Sequence, residues 1–376
     1  MNVNFTDFLT AFSSALDLLN PETPHRSTRR AYITQNIARH RGLSQPAQRR
    51  LFIAALLWDF GNGSHSPAHG AQRLSNIPLV AECAGLVCGA AMHNAEHRLL
   101  QLANDLAALS LNEYPRGHYP EKVMQTLCDS IGSKYALDDV IALRDLGLFP
   151  EFWKQLASST LSIEIRLLAP FPAHSLTGHE LLQLTSLLAR VIDTHCCSAI
   201  GHSFKVAELS VQLGRLYGFS DTGIEKIHIA GLLHDLGKLA VPAAVLTQKK
   251  PLNEMQRKQI FRHPLHTWDV LSVVPGLCDV AQVASFHHER LDGKGYPFFL
   301  KSTQLDLGSR IVSVADNYAA LTEERCYKVA YSPEKSFAIM EENARNGGLD
   351  AAVIGALKSS VSAAGMDIIS ASSGQP

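Results

Sequence analysis

Apolar residues recur every three to four positions along most of this chain. Val206, Leu209, Leu213 and Leu216 share one face of a helix, which Gly218 and Ser220 then break. Ile227, Leu232 and Leu233 line the next helix, which the pattern carries as far as Gly237, a C-terminal stop. Strand-like alternation is scarce, so the expected fold class is all-α. The stretch Ala169-Pro-Phe-Pro-Ala-His-Ser-Leu-Thr-Gly178 reads as a linker, with Thr177 or Ser175 capping a helix that begins near His179. It divides the chain into two domains, 1–170 and 171–376. The Leu-rich stretch Glu180 to Asp193 is expected to pack against one domain or across a homodimer, and the tail after Lys358 to be loose.

The two domains share a pattern. Shifted by 176 positions, Arg26 to Asn62 falls on His202 to Lys238 without a gap, and 11 of the 37 positions are identical, among them Gly42 on Gly218 and Asp59 on Asp235. Further on, Ser66 falls at His263, Ala90-Ala-Met-His93-Asn94 resembles Ala284-Ser-Phe-His287-His288, and Ala103-Asn104 resembles Ala315-Asp316. Core periodicity alone does not predict shared Gly and Asp positions. The N-terminal half therefore reads as an eroded copy of the C-terminal half. It carries Arg26 for His202, Trp58 for His234 and Asn62 for Lys238, and only Asp59 and His93 survive as metal donors. Trp58 is expected to fill the vacated cavity.

Composition narrows the class. With 46% apolar residues, 18% charged and a formal charge of -1, the chain has ample core and no basic excess that would suggest a nucleic-acid polymer as partner. Met1-Asn-Val-Asn-Phe-Thr-Asp7 lacks a basic leader region and no apolar run approaches 18 residues, so neither a signal peptide nor a membrane span is expected and the location reads as cytoplasmic. Seven cysteines without a Cys-x-x-Cys pair fit reduced thiols. Cys83 and Cys88 read as core residues of one helix.

The chemistry lies between Ala230 and Tyr327. His234-Asp235 supplies an imidazole beside a carboxylate that can bridge two cations, and His202, His263, His287, His288 and Asp316 supply further nitrogen and oxygen donors. Seven donors exceed the needs of one ion. Two divalent metals about 3.5–4 Å apart can activate a water and grip a phosphoryl oxygen, so the pattern points to a hydrolase. Lys238, about one turn past His234 if the helix continues, places an ammonium where phosphate charge would build up. Asp235 and Lys238 are the catalytic candidates. His195, His228 and His266 read as surface or hydrogen-bonded core histidines.

His234-Asp235 with Lys238, then His287-His288-Glu289, Asp292-Gly293 and Gly295-Tyr296-Pro297, resembles the HD-GYP family of bacterial cyclic-dinucleotide phosphodiesterases. The likeness covers roughly residues 190 to 360. It implies iron or manganese as the metal pair, and it places Lys238, Tyr296, Arg325 and Lys328 against substrate phosphates. Arg290, in the same loop as Tyr296, joins the substrate-binding candidates. Two departures stand out. Ser198 replaces the glutamate of relatives that hold three metals, and Ala319 replaces an aspartate three residues after the last metal aspartate, a carboxylate whose loss would weaken metal affinity about 10–100-fold if it orients a ligand histidine.

The resemblance implies hydrolysis of cyclic di-GMP to a linear product, with 3′,3′-cyclic GMP-AMP (cGAMP) as the alternative substrate. Two other classes stay open. One is a non-catalytic cyclic-dinucleotide receptor, which has no need of seven metal donors. The other is a scaffold whose first domain recruits a partner such as a GGDEF-type diguanylate cyclase, against which the retained Lys238 and Gly-Tyr-Pro segment weigh.

Overall fold

A computed structural model describes residues 1–62, 67–88, 94–108, 121–196, 201–324 and 329–363, with the side chains of residues 61, 62, 67–69, 121–123 and 363 left aside. Among the described residues there are helices and isolated bridges but no strand, the all-α class that the periodicity predicts. The chain divides into two compact units, Val3–Leu176, and Thr177–Pro376 with Met1–Asn2.

The first unit contains α1 (Phe5–Asp17), α2 (Arg26–His40), α3 (Gln45–Asn62), α4 (Pro67–Ser75), α5 (Ala84–Val87), α6 (Ala95–Ala107), α7 (Glu121–Cys128), α8 (Leu137–Gly147), α9 (Pro150–Leu156) and α10 (Leu161–Leu168). Helix α2 lies at its centre, packed on α3 and α6. Phe5, Phe8, Phe12, Phe52 and Phe60 are almost wholly buried around it. The division between units falls after Leu176 rather than after residue 170, because the linker packs back on the first unit. His174 O accepts from Phe5 N–H, Leu176 N–H donates to Val3 O, and the Phe171 ring sits 5.7 Å from Phe5 and 5.8 Å from Phe52. Cys83 and Cys88 are buried, but they flank α5 instead of sharing one helix.

The second unit contains α11 (Gly178–His195), α12 (His202–Leu216), α13 (Asp221–Leu233), α14 (Ala243–Leu246), α15 (Glu254–Phe261), α16 (His263–Leu271), α17 (Cys278–Ser285), α18 (Leu307–Thr322), α19 (Pro333–Arg345) and α20 (Ala351–Ala363). Thr177 and Glu180 form the capping box that starts α11. Val206, Leu209 and Leu213 are buried as their spacing predicts, but Leu216, at the last turn of α12, is 61% exposed. Nor does α13 reach Gly237. It ends at Leu233, and the chain tightens into a 3₁₀ turn, Leu236–Ala240, wedged against α16. Gly237 N–H donates to Thr267 Oγ1 at 2.9 Å, and a Cβ on Gly237 would stand 1.9 Å from His263 O. Only glycine permits that approach.

The 176-residue offset reappears in the backbone. Helices α2 and α12 begin at Arg26 and His202, and α3 and α13 at Gln45 and Asp221. The residues before α2 and α12, His25 (φ 60°) and Gly201 (φ 108°), are both left-handed, as are Gly42 (φ 66°) and Gly218 (φ 72°). In both units a serine one residue into the helix donates to an aspartate ten residues earlier, Ser27 Oγ to Asp17 Oδ1 at 2.7 Å and Ser203 Oγ to Asp193 Oδ1 at 2.6 Å.

Candidate metal centre

Five segments of the second unit bring the seven predicted donors together. His202 opens α12, His234 and Asp235 follow α13, His263 opens α16, His287 and His288 follow α17, and Asp316 lies in the third turn of α18. The two helices bearing the first histidines approach closely at Gly231, where a Cβ would stand 2.6 Å from Ala207 Cα. All seven donors except the half-buried His288 are buried.

Asp235 divides its oxygens between two donor sets. Oδ2 lies 3.4 Å from His234 Nε2 and 4.0 Å from His202 Nε2, and Asp316 Oδ1 closes that set at 3.3 Å from His202 Nε2 and 3.7 Å from His234 Nε2. Oδ1 faces the other way, 3.4 Å from His263 Nε2 and 3.8 Å from His287 Nε2. His263, His287 and His288 group their nitrogens within 4.8 Å of one another.

The donors fit cations better than they fit each other. His263 Nδ1 faces Ile260 O at 2.7 Å and His287 Nδ1 faces Ala284 O at 2.6 Å. A carbonyl can only accept, so both Nδ1 atoms carry the proton and both Nε2 atoms present lone pairs. Those two lone pairs point at one another across 3.2 Å, an arrangement that a shared positive ion satisfies and a hydrogen bond does not. His202 Nε2, His234 Nε2 and Asp235 Oδ1 are likewise buried without a hydrogen-bond partner. Burial, followed by the charge of His288, holds His287 well below the usual imidazole range. Burial and then His263 push His288 down to about 3, and burial lowers His263. These three are therefore neutral near pH 7, the form that ligates metal. Burial works against His202, yet the neighbouring carboxylates of Asp316 and Glu323 push it up to about 9.

Lys238 stands on the 3₁₀ turn rather than on a continued helix, and its Nζ donates to Asp235 Oδ2 at 2.5 Å. Tyr296 lies beside the cage, its ring stacked on His288 at 4.8 Å and on Phe261 at 4.5 Å. Arg290 is turned to the protein. Its guanidinium donates to Asp292 at 3.0 Å, Asn343 at 3.2 Å and Asn346 O at 2.9 Å, so it braces the loop after α17 against α19. Arg325, Lys328 and Ser198 lie outside the described residues. His195 Nε2 is 2.8 Å from Val241 O, the hydrogen-bonded role expected of it.

Three residues to which the motif reading gave no role shape the site. Glu289 accepts from Phe298 N–H at 2.7 Å and from Leu300 N–H at 2.9 Å, so its carboxylate folds the Tyr296 loop. Thr267 pins the 3₁₀ turn. Glu323 faces His202.

At the matching place in the first unit stands Arg30. Wholly buried, its guanidinium donates to Asp59 Oδ2 at 2.8 Å, Asn104 Oδ1 at 2.9 Å, Ser27 Oγ at 3.0 Å and Ala55 O at 2.7 Å. Trp58, expected as the filler, is half-buried with its ring 5.1 Å from His97. Ser66 and His93 lie outside the described residues.

The helical second unit thus gathers five imidazoles and two carboxylates around an adjacent His-Asp pair. Residues 186–353 match the family model described as the HD domain. The 3′3′-cGAMP-specific phosphodiesterase 1 of Vibrio cholerae is 28% identical over 94% of this chain and 90% of its own length. The 3′3′-cGAMP-specific phosphodiesterase 3 of that organism is 30% identical over 63% of this chain and 52% of its own. A cyclic di-GMP phosphodiesterase of Pseudomonas aeruginosa is 36% identical over 38% of this chain and 34% of its own. The crystal structure of a cyclic GMP-AMP-specific phosphodiesterase of V. cholerae shares the fold, with a TM-score of 0.67 at 20% identity over 96% of this chain and 98% of that one. Among the described residues no helix is long and apolar enough to cross a membrane.

Proposed function

We propose that this chain is a metal-dependent phosphodiesterase that opens a 3′–5′ cyclic dinucleotide to a linear product. The observation that carries the reading is Asp235, whose two oxygens face separate donor sets, one of His202, His234 and Asp316 and the other of His263, His287 and His288. Two divalent cations, iron or manganese by their mixed nitrogen and oxygen donors, would lower the pKa of a water and draw charge from a phosphoryl oxygen. The chain's own groups supply the rest. Lys238 holds an ammonium against Asp235, where a bound phosphate's negative oxygens would find it. Tyr296 offers a phenol and a ring face beside the cage. Arg325 and Lys328 are assigned to substrate phosphates by their place in the motif, and Arg290 to holding the loop.

Cyclic di-GMP and 3′,3′-cyclic GMP-AMP are the two substrates within this reading. The relative aligned along 94% of this chain bears the name of a 3′3′-cGAMP-specific enzyme, which supports the mixed dinucleotide as an equal candidate. The first unit is read as a degenerate HD-type domain with a structural or regulatory role, the part to test for binding a GGDEF-type cyclase or a second copy of the chain. Its Arg30 network supports that role. Metal-loaded protein incubated with each dinucleotide and with a chromogenic phosphodiester, products resolved by chromatography, tests the assignment. Linear product from at least one dinucleotide, well ahead of the chromogenic ester, is the expected result. Equal rates on all three would reduce the site to a general phosphodiesterase.

A further inference from the structure

The cage histidines fix their rings in two different ways. His234, His263 and His287 each place Nδ1 on a main-chain carbonyl three residues back, Gly231 O at 2.8 Å, Ile260 O and Ala284 O. A helical turn or its remnant precedes each of them and supplies that carbonyl. His202 is the first residue of α12, directly after a left-handed glycine. Its Nδ1 instead meets a side chain, Glu323 Oε2, at 2.8 Å.

Glu323 is placed for this contact. It is the residue that ends α18, where the backbone turns extended, and it is only 9% exposed. A carboxylate has no proton to give, so the short contact puts a proton on His202 Nδ1 and leaves Nε2 as the atom turned into the cage, where a bound cation would take the place of a second proton. Lys205 Nζ lies 3.7 Å from the other oxygen of Glu323 and 3.0 Å from Thr322 Oγ1. One ammonium thus steadies the glutamate and the residue before it. The family's aspartate position on α18 holds Ala319, which is fully buried and offers no acceptor, while Glu323 follows four residues later, one helical turn along.

We propose that Glu323 is the positioning residue of His202: its carboxylate selects the tautomer, fixes the ring and strengthens Nε2 as a base toward a cation. The proposal rests on the metal-centre reading but not on the choice of substrate. It also bears on the expectation that Ala319 weakens the site, because Glu323 gives a ligand histidine a carboxylate partner.

The test uses the full chain, stripped of metal, with zinc as a diamagnetic probe ion. Glu323→Gln keeps a hydrogen-bond acceptor but loses the charge, and Glu323→Ala loses both. Zinc affinity, measured by competition with a chelator, should fall by about 10–100-fold in the Ala variant and by a smaller factor in the Gln variant. The melting temperature of the metal-free Gln variant should stay at the parent value. In nitrogen–proton NMR spectra the His202 Nδ1 proton should be strongly deshielded in the parent and move upfield in the Gln variant. Parent-like affinity and an unmoved resonance in the Gln variant would overturn the proposal even if the Ala variant fails to fold. A parent that binds zinc yet leaves cyclic dinucleotides intact would remove the substrate assignment and leave this result standing.

Discussion

Replacing Arg30 by Met tests whether the first unit carries an internal cation at its centre. The guanidinium has no solvent exposure and makes hydrogen bonds to Asp59, Asn104, Ser27 and Ala55 O. Methionine keeps the apolar stem but offers no donor, so Asp59, whose side chain is 6% exposed, keeps a buried charge without a partner. Breaking a buried pair from one side costs about 3–5 kcal/mol, and the orphaned Ala55 carbonyl and Asn104 amide would move the cost toward the upper end. The double variant Arg30→Met/Asp59→Leu should recover more than half of the loss, since an apolar pair of similar volume removes the unpaired charge. Hydrogen exchange of amides in α2, α3 and α6, followed in the full chain, reports the first unit separately from the second. A loss below about 1 kcal/mol in the single variant, or a double variant no better than the single, would refute the reasoning.

Asp235→Asn should abolish turnover and lower metal content, because a neutral amide cannot bridge two cations, whereas Lys238→Ala should keep its metal and lose about 2–4 kcal/mol of transition-state stabilisation. Equal metal loss in the two variants by elemental analysis would make Lys238 a structural brace of Asp235. Gly237→Ala should separate the 3₁₀ turn from α16 and lower both metal content and melting temperature, since the new Cβ would fall 1.9 Å from His263 O; an unchanged melt would argue against that wedge. Burial raises Asp17 from 3.8 to about 6, against the opposing pull of Ser27 and Arg30. Because the folded value exceeds the unfolded one, stability present below about pH 4 should be lost as pH rises through 6, by about 3 kcal/mol. Hydrogen exchange of α1 and α2 between pH 4 and 7 should show that slope, and Asp17→Asn should flatten it.

The cage was legible because metal chemistry restricts residue types more tightly than packing does. Two donor sets around one aspartate need imidazoles and carboxylates in chain order, and the sequence displays them. Periodicity likewise revealed which faces of α12 and α13 are buried. It could not reveal where α13 stops, because that depends on Gly237 meeting His263 O and Thr267, residues distant in sequence. Arg290 looked free for the same reason: its partners Asn343 and Asn346 lie more than fifty residues on. Two signals were present and went unread. Arg30 falls on Val206 in the internal repeat, a charge at a core position, which announces a buried partner. Glu323 falls four residues beyond Ala319, just past the end of α18.

Arg30 is joined to its own backbone, so the positive charge that neutralises the first unit's buried carboxylates has no dissociation constant and cannot be titrated away. The second unit's cage would draw its counter-charge from the surroundings, and ligand binding stabilises a fold by RT ln(1 + [L]/Kd), a quantity that tracks the free metal concentration. Chelation or metal starvation would therefore act on one half of this polypeptide by mass action and leave the other half untouched.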